Sequence, residues 1–192
     1  MRRRSVVLLM LLVLASFGRA EAGFIEYTET ATGTGTLGAV AFTDALITIT
    51  GIGDTNNVVN VASGIFVNLT STSVSVAGVG SATFTDVMQA VDNQPNTLAG
   101  FGDNSTRLFV LGDHNDAFGD YDLKSAIGPT SGTADFNRGQ GSNTTGGSFV
   151  IDSIAGDGTF SAAVPEPASI VMLGIGLCGL LSFARRRHQR LT

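Results

Sequence analysis

The densest run of side chains able to do chemistry is Gly112-Asp113-His114-Asn115-Asp116-Ala117-Phe118-Gly119-Asp120-Tyr121-Asp122. Carboxylates spaced one to three residues apart in a loop are hard oxygen ligands, the kind that Ca²⁺ takes. Asp113, Asn115, Asp116, Asp120 and Asp122 are the candidate ligands. The EF-hand pattern fails, because Ala117 and Phe118 stand where a third ligand and a glycine belong. An ordinary acidic loop is the competing reading, and no other cofactor is expected. Asp54-Thr55-Asn56-Asn57 is a thinner version of the same signal.

Catalytic chemistry has few carriers between residues 23 and 164. His114 is the single histidine there, so a multi-histidine zinc site is excluded and a Ser-His-Asp triad would have to run through it. No Gly-x-Ser-x-Gly occurs. Gly33-Thr34-Gly35-Thr36-Leu37-Gly38 matches the dinucleotide pattern in form only, since no helix or parallel-strand unit surrounds it. The one cysteine, Cys178, lies in the C-terminal apolar run, so the body has no disulfide and no thiolate ligand or nucleophile. Of 16 acidic residues, 14 fall in residues 23–164, too many for a glycosidase pair to be picked out. The body is read as a non-enzyme.

The elements that must position these residues are strands. Leu46–Thr50, Val58–Val61, Ile65–Leu69, Ser73–Val76 and Ala82–Thr85 are short, rich in β-branched residues and in several cases alternating. Arg107–Leu111, Ser148–Ile151 and Thr159–Ala162 continue the series. Asp86–Val91 fits one helical turn or a strand equally well. Breakers stand between them at Gly51-Ile52-Gly53-Asp54, Gly78-Val79-Gly80, Gly102-Asp103-Asn104, Gly112-Asp113 and Gly156-Asp157-Gly158. Short strands with regular turn signals predict an all-β domain, a single β-sandwich or jelly-roll-like fold, with ten phenylalanines from Phe24 to Phe160 supplying the inter-sheet core. Thr28, Thr30, Thr32, Thr34 and Thr36 alternate through the opening segment, as a solvated edge strand, a flexible leader or an O-glycosylated stretch would.

The chain has 192 residues and a net charge of −5. Only three of the 11 basic residues (Arg107, Lys124, Arg138) fall between 23 and 164, which with the 14 acids gives that body −11. Such a surface repels nucleic acid and anionic lipid. The other basic residues mark the two ends. Arg2-Arg3-Arg4, the apolar Val6–Phe17 and small residues at Ala20 and Ala22 make residues 1–22 a signal peptide, with cleavage after Ala22 or, nearly as well, Ala20. Signal peptidase and the Sec machinery are the partners expected there.

At the other end, Val164-Pro165-Glu166-Pro167 precedes residues 168–184, which carry no charge, and the basic tail Arg185-Arg186-Arg187-His188-Gln189-Arg190. Seventeen helical residues span ~25 Å, the short end of what crosses a bilayer. The arginines belong in the cytoplasm under the positive-inside rule, which leaves the body outside. The prolines keep the preceding stretch extended and accessible. This succession resembles the PEP-CTERM sorting signal of bacterial exported proteins, a segment also labelled the C-terminal domain of ice-binding-type proteins. The resemblance implies processing near Pro165-Glu166-Pro167 by exosortase, a membrane transpeptidase, in a Gram-negative-type envelope. It also implies release or transfer to the cell surface or an exopolysaccharide matrix. A C-terminal anchor that is never cut is the alternative.

The organisation expected is a signal peptide (1–22), an extracytoplasmic β-domain (23–163) and a sorting signal (164–190) with one transmembrane helix. A structural or adhesive surface or matrix protein comes first among the functions, with exopolysaccharide as a partner. A ligand- or Ca²⁺-binding module comes next, and a secreted hydrolase last.

Overall fold

The structure, a computed structural model, describes residues 23–165. Eleven strands succeed one another: β1 (Phe24–Leu37), β2 (Val40–Asp54), β3 (Val59–Val61), β4 (Gly64–Val76), β5 (Gly80–Thr83), β6 (Met88–Asn93), β7 (Leu98–Asp103), β8 (Leu108–His114), β9 (Ile127–Asp135), β10 (Gly141–Thr144) and β11 (Gly147–Ala163). Eight of them pair antiparallel in the order β1-β2-β4-β6-β7-β8-β9-β11, and β11 pairs back onto β1. The sheet is therefore a closed barrel. The short strands β3 and β5 attach to β4, and β10 attaches to β11.

The body is all-β, but the expected β-sandwich or jelly roll is overturned by this closure. The decisive strand is β1. Its threonines resemble an edge strand or leader, yet it pairs with β2 along one side and β11 along the other. Welding the first strand to the last leaves no pair of separate sheets to face each other, and it removes the exposed edges that an open sheet would have to protect.

Two runs that resemble turns are bends inside long strands. Gly51 and Gly53 lie in β2 and face inward, where a Cβ on Gly51 would press on Leu69 and Phe101. Gly156-Asp157-Gly158 lies inside β11, beside a register shift against β1 at Thr30/Thr32. Bulges of this kind give barrel strands the coiling that closure needs.

Burial alternates without a break over all 14 residues of β1: Ile25, Tyr27, Glu29 and Ala31 point in, and Thr28, Thr30 and Thr32 point out. The interior is filled by side chains, with Tyr27, Phe101, Phe118, Phe149 and Phe160 the largest fully buried ones. Six of the ten body phenylalanines are buried, while Phe24 is half exposed. At the end where β1 starts, residues 115–126 fold over the mouth and insert Phe118, Tyr121 and Leu123. Phe118 and Tyr121 meet Phe160 edge-on with ring centroids 5.6 and 6.1 Å apart, and the Tyr27 hydroxyl donates to the Leu123 carbonyl at 2.5 Å. At the opposite end Phe149 packs on Phe42 and Phe84.

An apolar interior and a hydroxyl-rich exterior reverse the arrangement of a membrane-spanning barrel, which turns its apolar band to lipid. Among the described residues no helix is long and apolar enough to cross a membrane. The expected transmembrane helix at 168–184, the tail Arg185, Arg186, Arg187, the signal peptide with Ala20 and Ala22, and Glu166 and Pro167 lie outside the described residues.

Candidate functional site

The acidic run from Asp113 to Asp122 does not converge on a single point. Asp113 ends an inward-facing row of β8 and is fully buried. Asn115 caps the 3-10 turn Asp116–Phe118 by accepting from the Ala117 amide at 2.9 Å, and its own amide donates to the Ser131 carbonyl. Asp116 and Asp120 are solvent-exposed. Asp122 accepts from the Lys124 amide at 2.8 Å and from Ser125. Burial raises the Asp122 pKa, but these bonds outweigh it and hold the carboxyl below the usual range. The run is thus a strand end joined to the loop that closes the barrel. Among the described residues no group of three or more His, Cys, Asp or Glu side chains is placed to hold a metal.

His114 sits on the outside, beside Asp113 in sequence and on the other face of the strand. Its Nδ1 lies 2.9 Å from the Asn96 carbonyl and its Nε2 lies 3.6 Å from Asp135. With the two side chains 40% and 52% exposed, this is a solvent-screened pair of little energetic weight.

The chemistry that the sequence did not announce is inside. Glu29 of β1 and Asp113 of β8 face each other in the barrel, both fully buried, with no donor to either carboxyl from outside the pair in good geometry. The Gly158 amide approaches Asp113 without meeting hydrogen-bond geometry, and a Cβ on Gly158 would collide with that carboxylate. Burial pushes Glu29 well above the usual carboxyl range, and the neighbouring Asp113 pushes it further. Burial lifts Asp113 to about 6, against the opposing pull of Glu29. Two carboxyls so placed disfavour each other's ionisation and titrate as a coupled pair. Asp92 of β6, also fully buried without a partner, is raised to about 7 by burial. Strand alternation is the signal that could have found these three, since each falls on an inward position.

Outside, the sheet carries files of hydroxyls. Ser131, Thr159, Thr30, Thr48, Ser75 and Ser81 are successive register partners across β9, β11, β1, β2, β4 and β5. Ser161, Thr28, Thr50, Ser73 and Thr83 form a second file beside the first. Ser131 and Thr159 hydroxyls bond at 2.9 Å, and Ser81 donates to Ser75 at 3.0 Å. No charged side chain falls within either file.

The closing strand β11 ends at Ala163, and Val164 and Pro165 follow it, exposed and outside any strand. Fold and terminus together define a water-facing, side-chain-filled antiparallel barrel whose final strand runs straight into a proline-flanked exit. Residues 163–187 match the family model of the PEP-CTERM protein-sorting motif. The chain thus carries a PEP-CTERM signal, which implies export and cell-surface sorting through exosortase, the membrane enzyme that processes such signals. No curated protein matches the chain, and no solved structure matches it.

Proposed function

We propose that the barrel is a structural or adhesive component of the cell surface or exopolysaccharide matrix, delivered there by cleavage near Pro165-Glu166-Pro167, and that it is not an enzyme. The observation that carries this reading is the double file of uncharged hydroxyls, one over six strands and one over five, outside a barrel whose interior is packed. Hydroxyl rows donate and accept at once, so they suit hydrated, polyhydroxylated surroundings without demanding one ligand. The exposed exit at Val164 and Pro165 supports the delivery step, because a segment outside any ladder stays open to a processing enzyme. Deleting the gene in the native host tests the reading. Surface attachment or matrix yield falls, and the full chain restores it while a chain ending at residue 163 does not. Unchanged attachment and matrix yield in the deletion strain would contradict it.

A further inference from the structure

The described residues include a groove of about 450 Å³ on the outer face of β4, β6 and β7, within the ~300–1,000 Å³ range of small-ligand clefts. Its floor runs through two rows of register partners. Gln89, Gly102 and Phe109 form one, and Phe66 and Val91 form the other. One wall is the β3–β4 hairpin and the other is the turn joining β7 to β8. Gly102 leaves the floor bare, while Phe66, Val91 and Leu108 supply apolar contact.

One cation faces this space. Arg107 is exposed at the wall, and among the described residues its guanidinium has neither a salt bridge nor a hydrogen bond. It is also one of only three basic residues in a body of charge −11. Its backbone is held at φ +58°, a conformation a non-glycine residue adopts at a cost. Asp103 imposes it. That buried carboxylate accepts from the Ser105 amide at 2.8 Å, the Ser105 hydroxyl at 2.6 Å and the Ser142 hydroxyl at 3.0 Å, and its carbonyl takes the Arg107 amide at 2.7 Å. Asp103 also borders the groove, but its oxygens are taken by these donors and form no salt bridge with Arg107. The turn therefore spends backbone strain to present an unpaired guanidinium.

The rest of the lining says what the anion is attached to. Gln89 donates to Asn68 at 2.8 Å and keeps its own carbonyl oxygen free, and Asn104 offers an exposed amide at the rim. These groups bond hydroxyls, and the apolar floor suits the C–H face of a ring. We propose that the groove binds a hexuronate unit of an acidic polysaccharide, its carboxylate on Arg107 and its hydroxyls on Gln89 and Asn104. A fatty acid would call for a closed apolar tunnel, whereas this groove is open and its lining is part polar. The choice of a saccharide rests on the matrix function proposed for the barrel; the need for an anion does not.

The test is calorimetric titration of the purified full chain in detergent with trigalacturonate and, separately, with neutral galactotriose. The acidic trisaccharide binds, and the neutral one binds at least about tenfold more weakly, as loss of a charged hydrogen bond requires. Arg107→Gly removes the guanidinium while suiting the left-handed backbone, so it leaves the melting temperature unchanged or higher and weakens trigalacturonate binding by about tenfold or more. Arg138→Gln leaves binding unchanged. Equal binding of the two sugars, no binding of either, or an Arg107→Gly chain that binds as well as wild type would overturn the proposal. None of these outcomes depends on export, so failure here is distinct from failure of the sorting account.

Discussion

Asp92 and Asp103 lie on adjacent strands, both buried, at opposite ends of the barrel, and their chemistry differs in sign. Burial raises both. Asp92 has no donor and is carried to about 7, whereas Asp103, bonded by Ser105, Ser142 and the Thr106 amide, is held below the usual range. Donors rather than depth decide the charge of a buried carboxyl. The end closed by residues 115–126 therefore gathers carboxyls with raised pKa values, Glu29 and Asp113 joining Asp92, while the end carrying Asp103 holds an anion that organises a turn.

The two ends respond oppositely to pH. Asp103 contributes stability above the unfolded carboxylate pKa of ~3.9, which is lost as pH falls through its lowered native value. Asp92 and Asp113 do the reverse: their contribution is present below ~3.9 and is lost as pH rises through about 7 and about 6.

Removing the bonded anion has the largest effect. Asp103→Ala strands the Ser105 and Ser142 donors and costs about 3 kcal/mol in urea unfolding at pH 7. A loss below ~1 kcal/mol would erase the distinction between the two ends. Asp92→Asn works in the other direction, making the chain on the order of 2 kcal/mol more stable than wild type at pH 8, with the two converging near pH 4. A difference that does not change with pH would contradict it. Glu29→Leu removes the neighbour whose hydrogen bond pulls Asp113 down while leaving its burial in place, so carboxyl-carbon NMR should show Asp113 titrating above about 6, and an unchanged or lower value would contradict it. Asp122→Ala has the smallest effect, about 0.5–1 kcal/mol by thermal melt, because this carboxylate caps an exposed turn that water can also serve.

The strand content is legible where β-branched residues alternate, as at Leu46–Thr50 in β2 and Ile65–Leu69 in β4. Ile65–Leu69 and Ser73–Val76 form one strand rather than two, because β2 pairs across the polar residues Ser71 and Thr72 while β6 holds the first half and β5 the second. β1 escapes a local reading because its inward positions from Glu29 to Gly35 are acidic or small and show no apolar alternation, and its strength comes from pairing with β2 and with β11, the last of which is more than a hundred residues away. Closure is a property of that distant pairing, and periodicity within a window cannot carry it. The acidic run misleads for a related reason: Asp113 and His114 are neighbours in sequence and lie on opposite faces of one strand. The sorting signal is legible because its parts, the proline pair, the uncharged run and the arginines, are contiguous and need no fold to be read.

Central to the proposed function is that the barrel ends at Ala163 and that the residues beyond it, which carry the sorting motif, are removed on delivery. Intact-mass analysis of the chain recovered from the surface or matrix of the native host tests this most directly. The mass should correspond to a polypeptide that lacks residues 168–192, and a mature surface species that retains Arg185–Arg190 would contradict it.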